Sequence, residues 1–272
     1  MRKIFSAALL LAFVGFFFVQ AAFSKGGSGY RGFAITQSQY FSDVGCTVVE
    51  LEHTKTGANV LHVQTDDPEN FFALCFRTNP TQSHGVAHIV EHTVLQGSQK
   101  FPINNVFSHM DKRTLATFMN AFTGADYTCY PASTLCQDDF YNLLDVYSDA
   151  VFHPLLTKMA FAQEGHRLEF ETFDDPSTPL AYKGVVYNEM KGHLSSSTVR
   201  LMRAANSALF PDAAGDVFAG GDPETIPDLT YEEFIQFHKD HYYPGNCLFF
   251  FYGNLPLNKH LDFLADHVLV QQ

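Results

Sequence analysis

The stretch Ser83-His84-Gly85-Val86-Ala87-His88-Ile89-Val90-Glu91-His92 decides both the fold and the candidate chemistry of this chain. Read as a helix, it places His88 and His92 four residues apart on one face, with Glu91 beside them. Two neutral imidazoles at that spacing can bind one metal ion of zinc size, and a neighbouring carboxylate can hold a metal-bound water. The order His-x-x-Glu-His is the inverted form of a common zinc-protease signature.

The alternative is a structural helix that carries two histidines by chance, because five-residue matches are common. The surroundings favour the metal site. Ile89, Val90 and Val94 help to give the helix a wide apolar surface, and Ser83 and Gly97 are the predicted N-cap and stop. A helix buried on that much of its surface rarely carries three adjacent ionisable groups unless they have a partner.

Length, composition and charge describe a globular protein with an acidic surface. The chain has 272 residues, enough for one large domain or two small ones, and 46% of them are hydrophobic. The formal net charge of −12 argues against nucleic acid as a partner, because a phosphate backbone requires a basic surface. The same charge is compatible with cationic peptides as substrates.

The N-terminal residues have the pattern of a targeting segment. Met1-Arg2-Lys3 is basic, residues 4–19 are almost wholly apolar, and small residues follow. That order predicts a secretory signal peptide over residues 1–24, and hence an exported protein, periplasmic or secreted. One alternative is an uncleaved leader that anchors the chain in a membrane. We disfavour a mitochondrial presequence, because such segments are amphipathic and richer in arginine.

After cleavage of this leader we expect no stable membrane span. Residues 25–31 are rich in glycine and serine and are the predicted linker, which leaves residues 32–272 for the folded domain. The five cysteines include no CxxC pair, so we predict neither a cysteine zinc site nor a disulfide framework.

Strand and helix signals follow one another in a mixed order, and the predicted class is α+β, an antiparallel sheet packed with helices. Strands are predicted at 33–39, 46–53, 60–65, 71–77, 117–123, 127–131 and 247–252. Helices are predicted around the two histidines and at 104–115, 138–152, 158–170, 182–194, 230–241 and 257–268.

A catalytic zinc requires a third protein ligand and an open position for water. His84 shares a helix stripe with the two histidines, but the helical rise separates His84 from His92 by about 12 Å. One ion cannot bind both, so His84 is at best a neighbour of the site. The remaining candidates include four glutamates, and spacing alone does not choose among them: Glu164, Glu169, Glu171 and Glu189.

Six collinear blocks of the sequence resemble the first domain of the insulinase/pitrilysin metallopeptidases, most closely the presequence-protease branch. The resemblance extends in order from about Gly32 to Leu264. The blocks are Ser83–Pro102, Thr117–Pro131, Phe140–Pro154, Gln163–Glu169, Tyr182–Gly192 and Phe237–Asn254.

This resemblance implies one zinc ion per chain, bound by His88, His92 and Glu189. It implies that Glu91 is the general base, which takes a proton from the zinc-bound water as the water attacks a peptide carbonyl. It also implies that Asn120 and Ala121 lie in a strand that pairs with the substrate backbone, an edge-strand addition with little sequence preference.

Two residues depart from the family pattern. His84 replaces a small hydroxyl residue, and His166 replaces a residue that is often tryptophan. A larger departure is length, because family members have four related domains and this chain matches only the first. We therefore expect either an exported zinc endopeptidase that cleaves unfolded oligopeptides, or a truncated or vestigial peptide-binding domain with little activity unless another chain supplies the missing domains.

Overall fold

The structure, a computed structural model, describes residues 29–210 and 217–270, and the structural statements below concern those residues. The leader predicted over residues 1–24 lies outside them. Within the described ranges, no helix has the length and apolar character needed to cross a membrane.

The described chain begins inside the predicted linker, and its first residues are exposed but already contact the domain. The Tyr30 hydroxyl donates a 2.8 Å hydrogen bond to Asp262, and Arg31 forms ion pairs with Asp262 and Asp266. These contacts tie the start of the domain to its C-terminal region.

A sheet of eight strands forms the centre of the domain. Its path is β1-β2-β3-β10-β4-β7-β5, with β6 also paired to β7, and a separate hairpin consists of β8 and β9. The strands are β1 Phe33–Phe41, β2 Cys46–His53, β3 Asn59–Gln64, β4 Asn70–Arg77, β5 Ala116–Met119, β6 Phe122–Thr123, β7 Tyr127–Thr134, β8 Arg167–Phe170, β9 Leu180–Lys183 and β10 Cys247–Gly253.

All neighbouring strands in this sheet are antiparallel except one pair. β10 runs parallel to β3 and antiparallel to β4, so the last strand in the sequence lies between two of the first. The predicted α+β class is confirmed, but the sheet is mixed rather than purely antiparallel. The parallel pair follows from the long connection between β3 and β10, since parallel neighbours require a crossover and not a hairpin.

The structure has eight α-helices in the described ranges. They are α1 Val86–Val94, α2 Val106–Asp111, α3 Gln137–Phe152, α4 Lys158–Glu164, α5 Val185–His193, α6 Ser197–Leu209, α7 Tyr231–His241 and α8 Leu257–Phe263, the last continued by a π-helical turn over Leu264–Val268. Thr230 and Glu233 form the reciprocal capping box of α7.

Three predicted helices differ from the observed elements. The helix predicted at 158–170 ends at Gly165 and continues as strand β8, and the one predicted at 182–194 begins as strand β9 before α5. The helix predicted at 104–115 is limited to α2. Helix α6 was not predicted. It is amphipathic, but none of its residues is buried, and apolar side chains such as Leu201 and Met202 are exposed.

The main core lies between one face of the sheet and the helices. Phe72 and Phe76 project from β4, and Phe72 makes an edge-to-face contact with Phe140 of α3 at 5.4 Å. Phe249 of β10 is fully buried on the same side. Burial of an aromatic side chain of this kind stabilises the fold by roughly 1.5–3 kcal/mol.

The opposite face of the sheet carries a smaller apolar cluster around Ala73, Cys129 and Phe250. Cys75 and Cys129 lie directly opposite each other on β4 and β7 and form a disulfide. The sequence did not identify this pair. Helix α1 packs on the other side of the sheet, against the main core. The candidate site is therefore built on that side.

Candidate metal centre

Helix α1 carries the two histidines, and its start is fixed by close backbone packing. Gly85 is the N-cap residue, with φ of 69°, and a Cβ atom there would lie 2.9 Å from Cα of Gly221. Only glycine combines this left-handed backbone with that approach. Ser83, the predicted N-cap, instead accepts a hydrogen bond from the backbone N–H of Phe218 through its hydroxyl at 2.9 Å.

His88 and His92 are both held in a defined tautomer. Nδ1 of His88 lies 3.0 Å from the carbonyl oxygen of Gly220, which can only accept, so Nδ1 carries the proton. Nδ1 of His92 lies 3.2 Å from Oε2 of Glu164. In each ring the unprotonated Nε2 is then free to bind a metal ion, an arrangement typical of metal-ligating histidines.

Both Nε2 atoms face the carboxylate of Glu189, at 3.8 Å from its Oε2 in each case. Glu189 lies on α5, whose start is fixed by Gly184. A Cβ atom on Gly184 would lie 2.0 Å from the carbonyl oxygen of Gly165, so a side chain there would push α5 away. This contact brings a glutamate from a distant part of the sequence to the histidines.

The three residues form the one group of potential metal ligands in the described ranges, with one ligand atom from each within 4.8 Å of the others. Ligands of a tetrahedral zinc ion lie about 3.4 Å apart at the usual bond lengths. The two separations of 3.8 Å between a histidine Nε2 and Glu189 Oε2 are close to that value. Two imidazoles with one carboxylate are a donor set that suits zinc. The residues therefore fit a catalytic zinc ion with one open position.

Charge also favours a cation at this position. Glu91, Glu164 and Glu189 surround the two imidazoles, and the first two are buried, with 6% and 3% of their surface exposed. Burial lowers the pKa of His92, but the hydrogen bond that His92 donates to Glu164 and the charges of the neighbouring carboxylates outweigh this effect and raise the pKa above its ordinary value. A site with this surplus of negative charge is stabilised by a bound divalent ion.

Glu91 lies beside the ligands on α1 and has its own fixed orientation. The hydroxyl of Thr123 on β6 donates a 2.6 Å hydrogen bond to Oε2 of Glu91. Burial raises the pKa of Glu91, and this effect outweighs the lowering by Thr123 and by His88 and His92. A raised pKa brings the carboxyl closer to neutral pH, where the pKa of an effective general base lies.

Among the other three glutamates that the sequence offers as a third ligand, Glu164 contacts a candidate ligand, His92. Its Oε1 accepts hydrogen bonds from Nε2 of Gln96 at 2.8 Å and Nε2 of Gln163 at 3.0 Å, while Oε2 faces His92. Glu164 therefore orients a ligand, and it is held by two amides. Glu169 pairs with Arg167 and has no contact with the histidines.

Asn120 and Ala121 follow β5, which is an edge strand of the sheet. The Asn120 N–H donates to the carbonyl of Pro131 at 3.1 Å, and its own carbonyl accepts from the Tyr147 hydroxyl at 3.4 Å. Both residues precede β6, whose Thr123 contacts Glu91. The structure thus places this segment next to the candidate base, at the outer edge of the sheet.

Sequence reasoning missed three contributors to the site: Thr123, the carbonyl of Gly220 and the orienting role of Glu164. Thr123 falls inside a block that the family resemblance covers, yet nothing local marks it. Gly220 acts through its backbone, which leaves no side-chain signal. Glu164 was found as a candidate, but its role depends on which imidazole nitrogen it faces.

Comparison with known proteins agrees with this geometry. A model of the family described as insulinase, peptidase family M16, matches residues 76–208, and a model described as the M16 inactive domain matches residues 228–269. The chain is 48% identical over 243 residues to the mitochondrial presequence protease of Xenopus tropicalis. It is 47% identical over 245 residues to that of Mus musculus.

The chain belongs to the insulinase family of peptidases. The two alignments cover 89% and 90% of this chain but 24% of each relative, so the chain spans about a quarter of their length. Among solved structures, the crystal structure of pitrilysin matches 87% of this chain with a TM-score of 0.66 at 20% identity, and 24% of that chain is covered. This likeness shows the insulinase fold.

The prediction of an exported, periplasmic or secreted protein is wrong. Similar proteins from Xenopus tropicalis, Gibberella zeae and Eremothecium gossypii are all mitochondrial presequence proteases by name. A short basic start followed by an apolar run is a weak basis for assigning a compartment, because a receptor and not the fold reads such an address. The membrane-anchored alternative rested on the same residues, which lie outside the described ranges.

Proposed function

We propose that this chain is the zinc-binding domain of a metallopeptidase that hydrolyses unfolded oligopeptides. The observation that carries the proposal is the convergence of Nε2 of His88, Nε2 of His92 and a carboxylate oxygen of Glu189, with Glu91 beside them. The family and the presequence-protease relatives support the same reaction class.

A zinc ion at this position would lower the pKa of a bound water and polarise the peptide carbonyl. The chain's own residues do the rest. His88, His92 and Glu189 would hold the ion, and Glu91 would accept a proton from the attacking water. Thr123 keeps one oxygen of Glu91 occupied, so the other is available for the proton. The proton can then pass to the leaving amine, as in general acid–base catalysis.

Substrate binding is proposed at the segment Asn120–Ala121. β5 ends the sheet, so an extended peptide can pair with its outer edge and run past Glu91. Backbone hydrogen bonds bind a strand with little regard to sequence. A segment inside a folded protein already has most of its backbone groups paired, whereas an unfolded peptide does not. This geometry supports unfolded peptides as the substrate class.

The second candidate function is a peptide-binding domain with an intact zinc site and little activity unless other domains join it. It is favoured by the 53% exposure of the Glu189 side chain, which leaves the candidate site open to water on one side. Under this proposal another polypeptide supplies those domains. Zinc binding without turnover would identify it.

We also propose that the protein acts in mitochondria, as the names of its relatives suggest. The first acidic residue of the sequence is Asp43, and a lack of acidic residues is a feature of transit peptides. Residues 1–24 are then a targeting leader, and residues 32–272 are the peptidase domain. Immunoblotting of purified mitochondria against whole-cell fractions tests this location.

The zinc site is tested by elemental analysis of the purified chain. Wild type should hold about one zinc ion, His88→Ala and His92→Ala should lose it, and Glu91→Gln should keep zinc but lose hydrolysis. His84→Ala is the matched control, because it removes a neighbouring histidine that is not a ligand. A metal-free wild type, or full zinc retention in His92→Ala, would exclude the proposed site.

A further inference from the structure

The carbonyl oxygen of Gly220 fixes the orientation of His88, and this raises the question of what holds that carbonyl in place. Gly220 lies in the segment Phe218–Asp222, which we call the Gly220 loop. A glycine in a loop has no side chain to anchor it, and its backbone is freer than that of other residues. The position of the carbonyl must therefore be set by the residues that flank it.

On one side, the residues before α1 hold the Gly220 loop. The carbonyl of Ser83 accepts a 2.8 Å hydrogen bond from the N–H of Asp222, and the Ser83 hydroxyl accepts from the N–H of Phe218. The two hydrogen bonds bracket Gly220 and attach the loop to the chain that leads directly into the metal-binding helix.

On the other side, a single cation from α6 contacts both ends of the loop. Nη1 of Arg203 donates a 2.7 Å hydrogen bond to Oδ2 of Asp222. Its guanidinium carbon lies 5.1 Å from the centre of the Phe218 ring, within the range of a cation–π contact. The planar guanidinium suits both contacts at once, which an ammonium group does less well.

Helix α6 otherwise presents little to the domain, since none of its residues is buried. Arg203 thus connects a surface helix to a candidate metal ligand through two contacts. Arg203 contacts the Gly220 loop, and the carbonyl of that loop contacts His88. An isolated surface ion pair contributes only about 0–1 kcal/mol to stability. The ion pair of Arg203 with Asp222 can affect the position of the Gly220 carbonyl more than it affects the stability of the fold.

We propose that Arg203 is a positioning residue for the metal site, which holds the Gly220 carbonyl against Nδ1 of His88 by bracing Asp222 and Phe218. The inference rests on the proposed zinc site. Loss of Arg203 should loosen the carbonyl, leave His88 without its fixed tautomer and weaken metal binding, while the fold is retained.

The test measures the zinc dissociation constant of the full 272-residue chain by competition with a chromogenic chelator. Direct partners of metal ligands typically change affinity by about 10–100-fold. Arg203 acts one contact further out, so we expect Arg203→Met to weaken zinc binding about fivefold, and Arg203→Lys, which keeps a cation beside Asp222, to recover part of the loss. Arg200→Met removes an exposed arginine from the same helix and should remain within twofold of wild type.

A second measurement does not require metal. In zinc-free protein, two-bond proton–nitrogen NMR spectra should show His88 as the Nδ1–H tautomer in wild type and as a tautomer mixture in Arg203→Met. His88→Ala assigns the resonance, and circular dichroism confirms that each variant is folded. Unchanged zinc affinity in a folded Arg203→Met, or equal losses in Arg203→Met and Arg200→Met, would overturn the inference.

These outcomes are distinct from failure of the proposed function. A wild type that binds no zinc would refute the zinc site, and the tautomer of His88 would then decide the role of Arg203 alone. An unchanged tautomer in Arg203→Met would refute it.

Discussion

The hydroxyl of Thr123 lies 2.6 Å from Oε2 of Glu91, although the two residues are on different elements, β6 and α1. This contact fixes one oxygen of the candidate base and leaves the other for the attacking water. We predict that Thr123→Val, which keeps the shape but removes the donor, lowers turnover about tenfold without loss of zinc. General bases contribute about 10²–10⁴-fold, and only part of that depends on orientation.

Cleavage of a fluorogenic peptide at high enzyme concentration measures this effect, and elemental analysis measures the zinc. Thr123→Ser retains the hydroxyl and serves as the matched control. Equal turnover in the Val and Ser variants would show that the hydrogen bond does not orient Glu91 for catalysis.

Glu164 gives a second prediction, about the metal rather than the base. Both oxygens of Glu164 accept hydrogen bonds, from two glutamine amides and from His92. Glu164→Gln introduces an amide that must face one of these donors, so His92 loses its fixed orientation. We expect zinc affinity to fall about 10–100-fold, as is usual for partners of metal ligands.

The measurement is the same chelator competition, with Glu171→Gln at an exposed position as the control for loss of one carboxylate. An affinity within twofold of wild type in Glu164→Gln would mean that the contact with His92 is incidental.

The sequence located the side chains that the structure brings together better than it located their surroundings. His88, Glu91 and His92 follow from local spacing, because helical geometry alone places them together. Glu189 stands 97 positions after His92 (189 − 92), and no local rule reaches that far. It required the family resemblance, and in the structure it depends on the contact between Gly184 and Gly165.

Burial was harder to infer than strand position. In β3, the alternation of Leu61 and Val63 with His62 and Gln64 was visible, and the apolar pair would be the natural choice for the main core. His62 instead lies in the interior with 1% of its surface exposed, and Leu61 and Val63 pack on the smaller cluster. A pattern of period two identifies the two faces but does not say which face the helices cover.

This buried histidine gives a third prediction, on pH. His62 packs edge-to-face against His260 at 5.2 Å, and neither ring nitrogen of His62 has a hydrogen-bond partner. Burial lowers the pKa of His62 to about 4, and burial together with the nearby His62 lowers that of His260 to about 3. Both are neutral in the folded protein and protonate in the unfolded chain below about pH 6.5.

The unfolded state therefore binds more protons between these pKa values, and stability is lost as the pH falls from about 6.5 toward 4. From His62 alone we expect a loss of about 2 kcal/mol in unfolding free energy between pH 7.5 and 5. Urea unfolding of wild type and His62→Leu at the two pH values measures it. The variant should lose this part of the pH dependence, whereas His109→Leu, at an exposed histidine, should not.

A fourth prediction concerns the activity of this polypeptide by itself. The side chain of Glu189 is 53% exposed, so the candidate site is open to water on one side. Much of an enzyme's rate comes from positioned donors and excluded water, and loss of one oxyanion donor costs about 10²–10³-fold. We expect zinc binding with slow, chelator-sensitive cleavage of an unstructured peptide of about 20 residues.

Addition of a polypeptide that corresponds to the remaining domains of the relatives should raise this rate by at least the same factor. Rapid chelator-sensitive turnover by the 272-residue chain without such an addition would show that the remaining domains of the relatives are not needed for catalysis.

The position of β10 has a consequence for how the domain folds. Gly253 pairs with Gln64, 189 residues earlier, and β10 is the strand that joins β3 to β4. Until it arrives, strands β1 to β3 and strands β4 to β7 are two separate sheets, each with an unpaired edge. On a ribosome that adds about 5–20 residues per second, these edges stay open for roughly ten seconds or more. We therefore expect slow folding with a nascent chain that needs protection from aggregation until its final strand emerges.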